Sequence, residues 1–277
     1  MKKELEYQID CKKDTHMKFT KMQGTGNDFI VVDQRDKKYN LSKSVIKNLS
    51  DRHLGIGFDQ LLILEKSTSK NADFRYRIFN SDGGEVEQCG NGARCFYKFI
   101  KNYRLSNNST IKVETKAGII LLSENSEGMV KVDMGLPDIR KAINRHGVNY
   151  DHVAIGNPHA VINLADNNIS EENYHDIALD IQSSWKDGIN VGFMSIIDTN
   201  SIQLKVFERG SGFTMACGSG ASAAAAVAIS KNNLASPINV HMDGGVLQID
   251  WDMESTLTLS GTAEISFEGE VNLNTYA

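Results

Sequence analysis

The chain has 277 residues, 40% hydrophobic and 23% charged, with a formal net charge of −5. That length suits two domains of ordinary size, and the composition is that of a globular protein. Lys and Arg are scattered, which excludes an electrostatic footprint for nucleic acid, and no apolar run approaches the roughly 18 residues that a membrane helix needs.

Residues 1–16 are polar and charged and lack the apolar centre of a secretory signal. They are expected to form a disordered extension, with Met17 a candidate start. Strand-like runs follow at 18–22 and 29–32. Residues 42–52 read as a helix with Ser42 as its N-cap. Strands are expected at 60–64 and 74–79, a helix over 93–103, then strands at 110–115, 119–122 and 129–134. Apolar and polar residues alternate in Phe74-Arg75-Tyr76-Arg77-Ile78 and Ile111-Lys112-Val113-Glu114, the pattern of half-exposed antiparallel sheet. Gly135-Leu136-Pro137 is the candidate crossing between domains.

The second half repeats the order. Strands are expected at 153–155 and 160–164, then a helix over 170–183. Ser170 would cap that helix, and Glu171 and Glu172 suit its positive end. Strands at 190–197 and 202–207 precede a helix over 221–231, and strands at 238–242, 246–251, 256–260 and 264–267 close the chain. The run from Ala221 to Ile229 is small and apolar on nearly every face, so that helix should be buried. The expected fold is α/β (α+β): two pseudo-symmetric domains, each a curved, mainly antiparallel sheet wrapped around a central helix. The first would span 17–139, completed by a C-terminal strand within 263–277, and the second 140–262.

Of the four cysteines, two sit in matching turns, Cys89-Gly90-Asn91-Gly92 and Cys217-Gly218-Ser219-Gly220, each opening a helix. A helix start offers unpaired N–H groups and partial positive charge, which hold an anion and pull a thiol from about 8.5 toward neutrality. A matched pair suggests two thiols acting on one small molecule from opposite sides. Cys95 lies inside the first of these helices and should pack as a small apolar side chain, and Cys11 has no expected role. The spacings fit no zinc pattern, and free thiols point to a reducing compartment.

Before Cys89 runs Asn80-Ser81-Asp82-Gly83-Gly84-Glu85, a turn sequence. Before Cys217, Glu208-Arg209 leaves a strand just ahead of a Gly-rich loop. Arg there can grip a carboxylate bidentately, while Glu can hold an ammonium or act on a proton. His53, His146, His152, His175 and His241 are expected at the surface or satisfied in the core. His159, in Gly156-Asn157-Pro158-His159, enters a strand and is better placed.

Together these motifs resemble the diaminopimelate epimerase family from about Lys18 to the C-terminal strand. Its opening stretch stands as Lys21-Met22-Gln23-Gly24-Thr25-Gly26-Asn27-Asp28-Phe29, and its next element as Asp51-Arg52-His53-Leu54-Gly55-Ile56-Gly57-Phe58-Asp59-Gln60. The two thiol motifs, Gly156-Asn157-Pro158-His159 and Asn190-Val191-Gly192-Phe193 complete the set. Gln23 stands where the family commonly has His, beside a glycine turn.

The resemblance implies an epimerase that interconverts L,L- and meso-diaminopimelate for lysine and peptidoglycan synthesis, with no pyridoxal cofactor and no metal. Cys89 and Cys217 would be its catalytic thiols, one removing the α-proton and the other delivering one to the opposite face. Asn27, Gln60, Asn80, Asn157, Asn190, Glu208 and Arg209 would hold substrate. Gly90, Asn91, Gly218 and Ser219 would supply backbone N–H groups around the reacting carboxylate, with His159 and Glu208 as supporting proton partners. A cytoplasmic homodimer is also implied. The alternatives are a proline or hydroxyproline racemase of the same fold, an isomerase or lyase with one acid/base group, and a non-catalytic amino-acid-binding protein with redox-sensitive thiols.

Overall fold

The computed structural model describes residues 15–86 and 90–277. Cys11 and Cys89 lie outside the described residues. In the first half, strands β1 (His16–Gly24) and β2 (Asn27–Asp33) form a hairpin. Helix α1 (Lys43–Ser50) leads to β3 (Gln60–Lys66), then β4 (Phe74–Asn80) and the short β5 (Glu85–Val86). Helix α2 (Gly90–Asn102) follows, with β6 (Ile111–Thr115), β7 (Gly118–Glu124) and β8 (Val130–Gly135).

The second half opens with β9 (Asp138–Ile139) and β10 (Ile143–Arg145). It then runs β11 (Val148–Ile155), β12 (Asn157–Asn163), helix α3 (Tyr174–Ser183), β13 (Asn190–Asp198), β14 (Ser201–Glu208) and β15 (Gly212–Thr214). Helix α4 (Gly218–Asn232) precedes β16 (Ile238–Met242), β17 (Gly245–Asp250), β18 (Leu257–Gly261) and β19 (Glu264–Asn272).

Both halves carry one pairing plan. Strand β2 lies parallel to β3, β3 antiparallel to β4, and β4 parallel to β6. Likewise β12 lies parallel to β13, β13 antiparallel to β14, and β14 parallel to β16. The halves are stitched by β8 against β18, and the last strand, β19, returns to pair with β1. This is the mixed α/β, mainly antiparallel fold of two repeated halves that the sequence pattern predicts.

Burial explains which strands alternate and which do not. On β2, Phe29 and Val31 face the large core around α2, whereas Ile30 and Val32 face a second cluster with Val45, Ile46 and Leu49 of α1. A strand covered on both faces reads as an unbroken apolar run, as in Leu61-Leu62-Ile63-Leu64 of β3. On β6 only the face of Ile111, Val113 and Thr115 is covered, so Lys112 alternates outward. Helix α4 is buried at every residue from Ala221 to Ile229, and its small side chains let the second sheet close tightly around it.

Several details differ from the sequence expectations. Strand β1 starts at His16, which pairs with Asn272, one residue into the segment expected as an extension. Asp138 and Ile139, expected to end the first domain, pair instead with β11 of the second half. Ser42 does cap α1, accepting from the Val45 N–H at 3.3 Å. Ser170 does not cap α3: a 3-10 turn over Glu171–Asn173 intervenes, and its hydroxyl donates to the Glu172 carboxylate instead. Cys95 is fully buried in the main core.

The halves also touch at the β1–β2 turn. A Cβ on Gly244 would overlap the Thr25 carbonyl oxygen and lie 3.0 Å from that of Met215. Both are backbone atoms that cannot move aside alone. Gly244→Ala is expected to destabilise the protein by about 1–3 kcal/mol, read as a lower urea midpoint at unchanged slope.

Candidate active site

The pairing plan gathers one set of side chains at one sheet end. Parallel neighbours start together, and the antiparallel strand between or beside them ends there. Asn27 opens β2, Gln60 opens β3 and Asn80 closes β4, with Gln60 and Asn80 directly paired. Asn157 opens β12, Asn190 opens β13 and Glu208 closes β14. At the same end, α2 and α4 begin at Gly90 and Gly218.

Those two helix starts abut. A Cβ on Gly218 would lie 3.7 Å from the Gly90 Cα and 3.2 Å from the Asn91 Oδ1. Asn91 Nδ2 donates across the seam to the Ala216 carbonyl at 3.3 Å, while its buried Oδ1 has no hydrogen-bond partner among the described residues. The residues that follow the two thiol positions therefore meet at a single point. Cys89 itself lies outside the described residues.

Cys217 is the N-cap residue of α4 and is buried. Its thiol does not move toward neutrality as a helix start alone would have it. Burial pushes it well above its ordinary value, and the adjacent Glu208 carboxylate pushes in the same direction, against hydrogen bonds from Ser219 and the Gly220 N–H. Glu208 is raised in turn, by burial first, although hydrogen bonds from Thr214 (2.5 Å) and Cys217 oppose the rise. Both shifts favour the protonated forms, that of the thiol most strongly. Ser219 Oγ lies 3.6 Å from the sulfur.

The amide side chains are each anchored by one end. Asn27 Nδ2 donates to Asp59 Oδ2 at 2.6 Å, and Gln60 Nε2 donates to Asn80 Oδ1 at 2.8 Å, leaving the buried Gln60 Oε1 without a partner among the described residues. Asn190 Oδ1 accepts from the Arg209 backbone N–H at 2.9 Å. Arg209 Nη1 donates to the Asp187 carbonyl, and its side chain packs over Gly188, where a Cβ would collide with it. His159 is fully buried, with Nε2 2.8 Å from Asn157 Oδ1, and burial lowers its pKa to about 3, so it stays neutral. Among the described residues no group of His, Cys, Asp and Glu is arranged to hold a metal ion, and no helix is long and apolar enough to cross a membrane.

The sequence profile described as "Diaminopimelate epimerase" matches residues 19–139 and 152–266. The chain belongs to the diaminopimelate epimerase family. It is 43% identical over 274 residues to the diaminopimelate epimerase of Nitrosomonas europaea, covering 93% of this chain and 99% of that one. It is 42% identical over 275 residues to that of an Azoarcus species, with the same shares covered. Among solved structures, a hydroxyproline epimerase from Agrobacterium vitis superposes with a TM-score of 0.69 at 12% identity, covering 93% of each chain. A Bacillus anthracis protein of the phenazine biosynthesis PhzF family superposes with a TM-score of 0.68 at 16% identity, covering 92% of this chain and 99% of that one. At such identities the likeness concerns the fold.

Within this diaminopimelate epimerase family member, sequence reasoning left several supporting residues unnamed. Thr25 adopts a φ of 52°, costly for a β-branched residue, and its hydroxyl accepts from Arg94 Nη2 at 2.9 Å. Arg94 is wholly buried and also donates to the Thr262 carbonyl, tying α2 to the chain's return crossing. A charged residue on an otherwise apolar helix face was the available signal. Thr214, six residues after Glu208, gave none. Gln23, the departure from the family pattern, accepts from the Gly26 N–H at 3.1 Å and so supports the same turn.

Because only a thiolate alkylates, Cys217 should react slowly with iodoacetamide at pH 8. Glu208→Gln removes the neighbouring charge that opposes ionisation, so alkylation of the peptide containing Cys217 should speed up severalfold at that pH. Peptide mass spectrometry against time reads this directly. An unchanged or slower rate would show that the carboxylate does not hold the thiol protonated.

Proposed function

We propose that this chain interconverts L,L-diaminopimelate and meso-diaminopimelate through two thiols, Cys89 and Cys217, without pyridoxal. The observation that carries the proposal is the abutment of Gly90 on Gly218, which brings together the chain positions next to both cysteines. A carboxylate at that point would receive N–H groups from two helix starts, Gly90 and Asn91 on one side and Gly218 and Ser219 on the other. As the α-proton leaves, negative charge grows on that carboxylate. One well-placed donor there is worth about 3 kcal/mol, so several acting together supply much of what an unactivated α-carbon demands.

The proton inventory closes. Cys89 as thiolate takes the α-proton on one face, and Cys217 as thiol gives its proton to the other. The product leaves with the charge states exchanged, ready for the reverse reaction. The protonated resting state of Cys217 suits it to the donor role. Glu208 beside it and His159 behind Asn157 act as supporting groups, His159 by orienting the amide as a neutral ring. Asn27, Gln60, Asn80, Asn157, Asn190 and Arg209 hold the remaining ammonium and carboxylate groups. Arg209 exchanges its Asp187 carbonyl for a substrate carboxylate.

In this reading one unit spans residues 17–139 and is completed by 263–277, the other spans 140–262, and the crossing lies at Gly135-Leu136-Pro137, with Asp138 and Ile139 reaching past it to pair with β11. The enzyme works in the cytoplasm, where its thiols stay reduced, as a homodimer formed by strands near the C-terminus. The competing reading, a proline-type racemase on this fold, leaves Arg209 and the amide set without a partner in so short a substrate.

Incubation in deuterium oxide separates these readings. Wild type should exchange the α-hydrogen of diaminopimelate and leave proline untouched. Cys89→Ala or Cys217→Ala should each lower epimerisation by at least about a thousandfold. Turnover of proline, or near-normal epimerisation by either variant, would defeat the two-thiol scheme for this substrate.

A further inference from the structure

The residues that hold Asn27 point to a function for a side chain the foregoing scheme leaves idle. Asp59 immediately precedes Gln60. Its Oδ2 accepts from Asn27 Nδ2 at 2.6 Å and from the Asp28 N–H at 3.1 Å, and its Oδ1 accepts from Arg52 Nη2 at 2.7 Å. Arg52 grips Asp28 as well, at 2.9 and 2.8 Å, and Lys21 donates to Asp28 at 2.5 Å. Two carboxylates and two cations therefore form one closed network around the start of β2 and β3. Burial alone would raise Asp28, but Arg52 and Lys21 outweigh it and hold it at about 2, so Asp28 keeps its charge for both cations.

The chemistry of that contact is one-way. An ionised carboxylate only accepts, so the group of Asn27 that faces Asp59 must be the NH2. The carbonyl oxygen is then the end left over, and among the described residues Asn27 Oδ1 takes part in no hydrogen bond. On the second half the opposite holds. The Arg209 N–H can only donate, so Asn190 turns its oxygen inward to that bond, and among the described residues its NH2 takes part in no hydrogen bond. The two halves of the cleft thus differ in hydrogen-bonding sign even though their backbones repeat. The charge of Asp59 also acts on Glu208 of the other half, weakly and in the raising direction.

We propose that Asp59, braced by Arg52, is a positioning residue that locks the Asn27 carboxamide with its oxygen presented to a substrate ammonium group. The inference rests on the reading of Asn27 as a substrate-holding residue. An amide at position 59 could donate as well as accept, so Asn27 would lose its fixed sense and present its NH2 to the ammonium in part of the population. The cation would then meet a donor where it needs an acceptor.

The test is a double-mutant cycle on diaminopimelate epimerisation with full-length protein. Asp59→Asn is isosteric and should raise KM about tenfold, the scale of one hydrogen bond to a charged group, with kcat within about threefold of wild type. In an Asn27→Ala background the same substitution should change KM less than about twofold, since the amide it orients is gone. Arg52→Gln, at an exposed side chain, should shift KM in the same direction by less, and it serves if Asp59→Asn folds poorly. An undiminished effect of Asp59→Asn in the Asn27→Ala background, or a loss of kcat and thermal stability with KM unchanged, would overturn the inference while leaving Asn27 a binding residue. An Asn27→Ala enzyme with wild-type KM would overturn the reading of Asn27 itself, and the inference with it.

Discussion

Gly90 and Gly218 set two helix N-termini side by side, so near that a Cβ on Gly218 would touch the Gly90 Cα, and that approach is electrostatically unfavourable by itself. Each helix start carries about half a positive charge. Setting two against each other in a buried place costs energy unless negative potential lies between them. Within the protein, the Ala216 carbonyl that accepts from Asn91 is the nearest partial answer. In the proposed reaction, an arriving carboxylate is the full one. A Cβ on Gly218 would crowd the side chains of Asn91 and Leu259 at 3.2 Å, whereas one on Gly90 would meet only the Met134 thioether at ordinary contact distance.

The surrounding fold serves to hold that unfavourable meeting in place. Helix α4 is locked by small residues buried on every side, and α2 is tied to the β1–β2 turn and to the return crossing by the guanidinium of Arg94. Strained backbone at Thr25 is tolerated because three elements converge on it. Repetition of the same βαβ unit places amide side chains at matching strand starts in each half.

Much of this was legible in the residues. The strand runs, both central helices and the duplicated thiol turns stand out because local pattern and burial agree there. What the pattern concealed has a common cause. The thiol of Cys217 departs from the behaviour of a helix-start cysteine because Glu208, nine residues earlier, is folded back beside it by the β14–β15 hairpin. Ser170 has the composition of a cap but spends its hydroxyl on Glu172. The parallel pairing of β2 with β3 and the locking of Asn27 by Asp59 depend on contacts 32 residues or so apart, which no short window contains. Position 59 reads in the sequence as one more acid in a Gly-rich loop.

The pairing of β1 with β19 carries a consequence for how this chain acquires its shape. Residues at the start of the first half complete their sheet only with the last strand, so the ladder His16 to Asn272 spans nearly the full length of the polypeptide. Closing so large a loop is entropically expensive, and pairings of this kind slow folding. During synthesis the first half would emerge with an unpaired edge and wait on β19 for its cover. The two halves look like copies, but the first completes its sheet only with a strand made after the second.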